Sequence, residues 1–136
     1  MRSVRSPSPR ATAEALYGAF ARGAIDEVLE HLDPGITWEL IGRSEIPYFG
    51  RYEGVDEVRR FFDLLGEHCV VEQFDVDRLT DTSTGVVAEG RERGRFASHP
   101  EPYEMRWCHV MTMSSGRITS LTDYLDTAPM VAAWHS

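Results

Sequence analysis

An α+β fold is predicted, with a curved mixed or antiparallel sheet wrapped around three N-terminal helices. Three observations predict it. Apolar residues recur at helical spacing only in the first half of the chain. After Gly66 the pattern turns to strand-like alternation over four long segments, and short Gly, Pro and Ser clusters separate those segments. The 136 residues suffice for one hydrophobic core and are too few for two. Helices first and a strand meander after is the α+β order, and helices on the concave face of such a sheet leave an apolar pocket between the layers.

Each element follows from local signals. Residues 1–8 read as a flexible tail and residues 9–136 as a single domain. Ser8-Pro9 starts the first helix, with serine as N-cap and proline at the first helical position. Leu16, Ala19, Phe20 and Gly23 then follow at helical spacing, and Tyr17 lies just off that stripe as packing. A second, short helix puts Ile25, Val28, Leu29 and Leu32 on one face, and the Asp-Pro-Gly at 33–35 stops it. Residues 36–41 alternate as a strand with Trp38 and Leu40 on one face. Residues 42–54 read as a loop, unusually aromatic with Tyr48, Phe49 and Tyr52. Gly54 opens a third helix whose buried stripe is Val55, Val58, Phe62 and Leu65, with Asp56 and Glu57 suited to its N-terminal dipole. Strands are expected at 69–79, 85–97, 102–113 and 117–125, followed by a short C-terminal helix or tail.

Composition excludes several functions. A net charge of −8 argues against a nucleic-acid surface. The Arg-rich stretch at 91–95 includes Glu92 and reads as a solvated strand face. No apolar run nears the roughly 18 residues of a membrane span, and no secretory leader pattern opens the chain, so a cytoplasmic protein is expected. Cys69 and Cys108 form no zinc pattern and read as free thiols. The five histidines show no ligand spacing, so neither a metal nor a cofactor is expected.

The hairpin over residues 105–127 holds the candidate chemistry, His109 and Asp123. A two-residue turn at Ser115-Gly116 would put them on opposite faces. A three-residue loop with Gly116 in the left-handed position would pair Met113 with Arg117, His109 with Leu121 and Trp107 with Asp123. Trp107, His109, Met111, Thr119, Leu121, Asp123 and Leu125 would then share the inner face. Hydrophobic sorting and the glycine favour the longer loop, which makes His109 and Asp123 diagonal neighbours. Structural roles compete with chemical ones. Asp123 could be a strand-end carboxylate paired with Arg106 or Arg91, and His109 a satisfied core histidine. On strand 85–97, either Glu89 and Arg91 or Gly90 faces inward.

The order of elements from about residue 10 to 134 resembles the SnoaL-like polyketide cyclases, within the nuclear transport factor 2-like and ketosteroid-isomerase-like superfamily. The stretches FARGAIDEVLEHLDPGITWEL, IPYFGRYEGVDEVRRFF and RWCHVMTMSSGRITSLTDYLD carry the resemblance. It implies a cone-shaped fold. It also implies Asp123 as the acid/base, assisted by His109, in proton abstraction next to a carbonyl and cyclisation or isomerisation of a polyketide-like or polycyclic substrate. An aspartate in such a pocket loses hydration, which disfavours its charged form. Trp38, Leu40, Tyr48, Phe49, Trp107, Met111, Leu121 and Leu125 are the expected substrate wall. The alternatives are an epoxide hydrolase or hydratase using Asp123 with water, marked by an inward arginine on strand 85–97, and a non-catalytic small-ligand-binding protein. The resemblance also implies a homodimer through the outer sheet face, where Cys108, Val110 and Tyr124 lie.

Overall fold

The first layer is built from helices whose ends are set by local chemistry. In the computed structural model, which describes residues 6–42 and 45–136, the Ser8 side chain caps α1 (Pro9–Ala21) by accepting from the Ala11 N–H at 3.1 Å. Residues 1–5 of the expected tail lie outside the described residues, as do 43–44 of the aromatic loop. Helix α1 buries Ala13, Leu16, Tyr17 and Ala19. Helix α2 (Ile25–Glu30) is shorter than expected, because β1 (Leu32–Ile41) takes over before the Asp-Pro-Gly. That tripeptide does not end a helix. It forms a bulge in β1, where the pairing jumps from Leu32↔Ile118 to Thr37↔Ser120, and Asp33 Oδ2 holds the Gly35 N–H at 2.8 Å.

The aromatic segment is not all loop. Gly50–Glu53 forms a short strand, β2, pairing antiparallel with β1 so that Trp38 opposes Tyr52. Four residues, the first of them a glycine, are too few for alternation to register. Helix α3 (Val55–His68) has Asp56 and Glu57 in its first turn, as expected. Its buried residues are Val58, Phe61 and Phe62; Val55 and Leu65 of the expected stripe are only partly covered. Four strands follow: β3 (Cys69–Asp81), β4 (Gly85–Phe96), β5 (Pro102–Ser114) and β6 (Arg117–Leu125). Helix α4 (Thr127–Trp134) ends the chain. The six strands form an open sheet in the order β2-β1-β6-β5-β4-β3, antiparallel throughout except for the parallel pair β1–β6.

The β5–β6 hairpin differs from the expected register in an instructive way. Ser114 pairs with Arg117, so the turn has two residues, Ser115 and Gly116. Both take positive φ, 51° and 77°, the backbone of a primed hairpin turn. Such a turn alone would put His109 and Asp123 on opposite faces. A bulge corrects the phase. Met113 pairs with Ile118 but Thr112 pairs with Ser120, leaving Thr119 as an extra residue on β6. The Thr112 hydroxyl bonds to those of Thr119 and Ser120 at 2.8 and 2.6 Å. Ile118 and Leu121 are therefore both buried although three positions apart, which a regular strand does not allow. Beyond the bulge, His109 and Asp123 are directly opposed partners rather than diagonal ones.

Candidate functional site

Five strands and all four helices contribute to one apolar cavity. Strand β5 turns Tyr103, Met105, Trp107, His109 and Met111 inward, all buried, and β6 turns Leu121, Asp123 and Leu125 the same way. Helix α1 supplies Leu16, Tyr17 and Phe20, and α3 supplies Phe61 and Phe62. The space between them that atoms leave unfilled is about 610 Å³ including its mouth. Of the expected wall, Trp38, Leu40, Tyr48, Leu121 and Leu125 line this cavity. Phe49, Trp107 and Met111 do not. Phe49 packs beside Tyr48 with ring centres 5.5 Å apart, and Met111 is 1% exposed, wholly within the core. Trp107 stacks against both Phe74 at 4.7 Å and the His109 ring at 4.2 Å.

The two polar residues form a chain of three with Tyr17. His109 Nε2 lies 3.1 Å from Asp123 Oδ2, and the Tyr17 hydroxyl lies 2.6 Å from His109 Nδ1. Burial, with the Asp123 charge nearby, drives the Tyr17 pKa well above its ordinary value, so the phenol keeps its proton. In the tautomer in which the phenol donates to Nδ1, the ring proton sits on Nε2 and is donated to Asp123. This leaves Asp123 Oδ1 buried, with no hydrogen-bond partner among the described residues, on a residue that lines the cavity. An unpaired buried acceptor is costly, and at the wall of a pocket it is an invitation to ligand chemistry. Among the described residues the indole N–H of Trp38 and the hydroxyl of Tyr48 are likewise buried without partners, and both residues line the same cavity.

Two residues of this site were not anticipated. Tyr17 reads as packing in the sequence, because nothing in helical spacing distinguishes a tyrosine that packs from one that bonds. Glu92 reads as part of a solvated strand face, yet it points into the cavity. The inward set of β4 is Val86, Ala88, Gly90, Glu92, Gly94 and Phe96, and the buried apolar residues at its two ends carried that signal. Gly90 is inward because a Cβ there would come within 2.2 Å of the Trp107 ring and 2.0 Å of the Asp75 carbonyl. Glu89 and Arg91 face outward, where Arg91 pairs with Asp77 at 3.0 Å. Glu92 Oε2 accepts from the Tyr103 hydroxyl at 2.5 Å, and that hydroxyl lies 3.1 Å from Cys69 Sγ. Burial pushes the Glu92 carboxyl up to about 7, opposed in part by the Tyr103 bond. Burial also raises the Cys69 thiol to about 11, which makes it a poor nucleophile. Both cysteines are free. Among the described residues no group of three or more His, Cys, Asp or Glu side chains could hold a metal ion, and no helix is long and apolar enough to cross a membrane.

Comparison with known proteins gives this architecture a family. No curated protein sequence matches the chain. Among solved structures it is similar to an NTF2-like protein from Burkholderia thailandensis, at 26% identity and a TM-score of 0.86 over 94% of this chain and 98% of that one. Its fold is also similar to that of a candidate isomerase from Rhodopseudomonas palustris, with 21% identity, TM-score 0.75 and coverage of 90% and 92%. An LEH-like epoxide hydrolase from M. tuberculosis shares the fold at 20% identity, TM-score 0.70 and coverage of 92% and 87%. The sequence model of the SnoaL-like domain matches residues 13–121, a span that holds most of α1, all of α2 and α3, much of the cavity wall and His109, and stops just short of Asp123. The chain belongs to the SnoaL-like domain family.

Proposed function

We propose that the chain is a small-molecule acid/base enzyme that needs no cofactor. In this reading Asp123 removes a proton from the carbon next to a carbonyl of a polyketide-like or polycyclic substrate, and the resulting enolate cyclises or isomerises. The observation that carries the proposal is the division of labour between the two Asp123 oxygens. Oδ2 is held by His109, while Oδ1 is buried, unpartnered and at the cavity wall. A carboxylate fixed on one side and free on the other is a positioned base. Tyr17 and the Trp107 stack hold the imidazole that orients it. The Trp38 N–H is a donor in the same cavity for charge developing on the carbonyl oxygen.

The rival readings fare less well. A hydrolase of the expected kind calls for an inward arginine on β4, but Arg91, Arg93 and Arg95 all take the outward parity and are exposed. A pure binding protein calls for Asp123 in a surface ion pair and His109 enclosed by carbon. Instead the pair is internal, and the imidazole is hydrogen-bonded at both nitrogens. The test is solvent-deuterium exchange at the α-carbon of β-tetralone, followed by NMR with the wild type and Asp123→Asn. The wild type should speed exchange, and the variant should lose about 100-fold or more of that rate. Equal exchange by both proteins would sink the assignment of Asp123.

The partner proposed for the outer face is a second copy of the chain. Ile41 and Tyr124 are paired neighbours there, 42% and 50% exposed, with Val110 at 37% on the next strand. Light scattering should give a dimer mass that Tyr124→Glu reduces to the monomer; a monomeric wild type would remove the idea.

A further inference from the structure

The cavity has a second polar group, Glu92, farther along β4 from the His109–Asp123 pair and still near enough to feel both charges. Glu92 lies four residues along β4 from Ala88, the residue that opposes His109, so about 13 Å of strand separates the two backbone positions. Glu92 Oε2 is taken by Tyr103, while Oε1 carries no hydrogen bond among the described residues. Tyr48, only 2% exposed, sets its hydroxyl beside Cys69 and Tyr103 and in the field of Glu92, but makes no hydrogen bond of good geometry to any of them. Tyr48 and Glu92 both line the cavity, and the same wall carries the apolar Leu16, Phe20, Phe62 and Phe74.

The free groups of Tyr48 and Glu92 differ in character. The Tyr48 O–H is a donor, and the Glu92 oxygen is an acceptor when ionised. A ligand hydroxyl satisfies both at once, accepting from Tyr48 and donating to Glu92. A ligand carbonyl would satisfy only the first, and a methyl group neither. The geometry points to a hydroxyl-binding subsite formed by Tyr48 and Glu92, so that the substrate is an enolisable carbonyl compound bearing a hydroxyl at the far end of an apolar body. The carbonyl end of this assignment rests on the acid/base role of Asp123; the hydroxyl subsite does not.

The experiment compares two ligands titrated calorimetrically into the intact protein: β-tetralone, and the analogue hydroxylated on its aromatic ring at the end opposite the carbonyl. The wild type should bind the hydroxylated ketone about tenfold more tightly, as one well-formed buried hydrogen bond allows. Tyr48→Phe should abolish most of that preference, read as the ratio of the two affinities within each protein. Glu92→Leu should do the same, as an independent check. Equal affinity for the two ketones in the wild type, failure of both to bind, or a preference that survives in Tyr48→Phe would each overturn the subsite. Deuterium exchange separates this from the Asp123 assignment. If the hydroxyl preference is present but no exchange is catalysed, the subsite stands and the acid/base role falls. If exchange occurs without a preference, the reverse holds.

Discussion

Replacing Glu92 with glutamine should make the protein more stable at alkaline pH and leave it nearly unchanged in acid. The carboxyl sits in the cavity wall with its charge stripped of water, and its pKa rises from an ordinary 4.5 to about 7. A group whose folded pKa lies above its unfolded value contributes stability that is full below the unfolded value and lost as pH rises through the folded one. The window is therefore 4.5 to about 7. At ~1.4 kcal/mol per tenfold change in proton affinity, the loss across that window is about 3 kcal/mol. Glutamine stays neutral and its amide oxygen still accepts from Tyr103, so the variant avoids this loss. Tyr103, Cys69, Asp123 and His109 all face Glu92; the Tyr103 bond and the Asp123 and His109 charges are already contained in its shifted pKa, and the titrations of these four groups themselves are common to both proteins. The assay is urea unfolding of wild type and Glu92→Gln at about pH 4.5 and about pH 8. The gap should widen by about 3 kcal/mol in favour of the variant, or about 10 °C in melting temperature for a chain of this size. A gap that stays level with pH would refute the argument, because it would mean that the carboxyl ionises in the fold as freely as in the unfolded chain.

Two further predictions concern the neighbours of the reactive pair. Tyr17→Phe strips the buried His109 Nδ1 of its donor, so unfolding by urea should be easier by about 1–3 kcal/mol and the β-tetralone exchange rate should fall about tenfold as the ring loses its fixed tautomer; unchanged values of both would show that Tyr17 only packs. Gly90→Ala places a Cβ against the Asp75 carbonyl and the Trp107 ring, neither of which has room to yield, and should cost about 2 kcal/mol or more in thermal unfolding while altering the near-UV dichroism of the indole.

Much of the architecture was legible in the chain because its signals are local. Ser8-Pro9 states a helix start, and Gly, Pro and Ser clusters punctuate four long alternating runs whose ends fall within about two residues of the observed strands. What escaped depends on partners distant in sequence. Strand β2 exists only because β1 offers an edge, and four residues carry no period of their own. The Asp-Pro-Gly is turn chemistry in isolation, yet the sheet absorbs it as a bulge. His109 and Asp123 were correctly placed on one face, but for an incomplete reason: burial demanded the parity, and a two-residue turn with a bulge supplied it where a three-residue loop was expected. Glu92 escaped because its charged neighbours Arg91 and Arg93 dominate the local composition, while its inward parity is written in Val86, Ala88 and Phe96.

The Thr119 bulge has a consequence for how this site can vary. Below it the even-numbered residue Ile118 points inward; above it the odd-numbered Leu121 and Asp123 do. One added residue is thus a phase change in the strand, and it decides which letters of the sequence face the ligand. Deleting Thr119 would alter no residue proposed for the chemistry, yet it would turn either Ile118 or the Leu121–Asp123 pair toward solvent. Aligning a relative across this position without a gap would equate its outward side chains with inward ones here. For this hairpin, the correspondence of active-site residues between relatives has to be drawn through the hydrogen-bonded ladder rather than by counting along the chain.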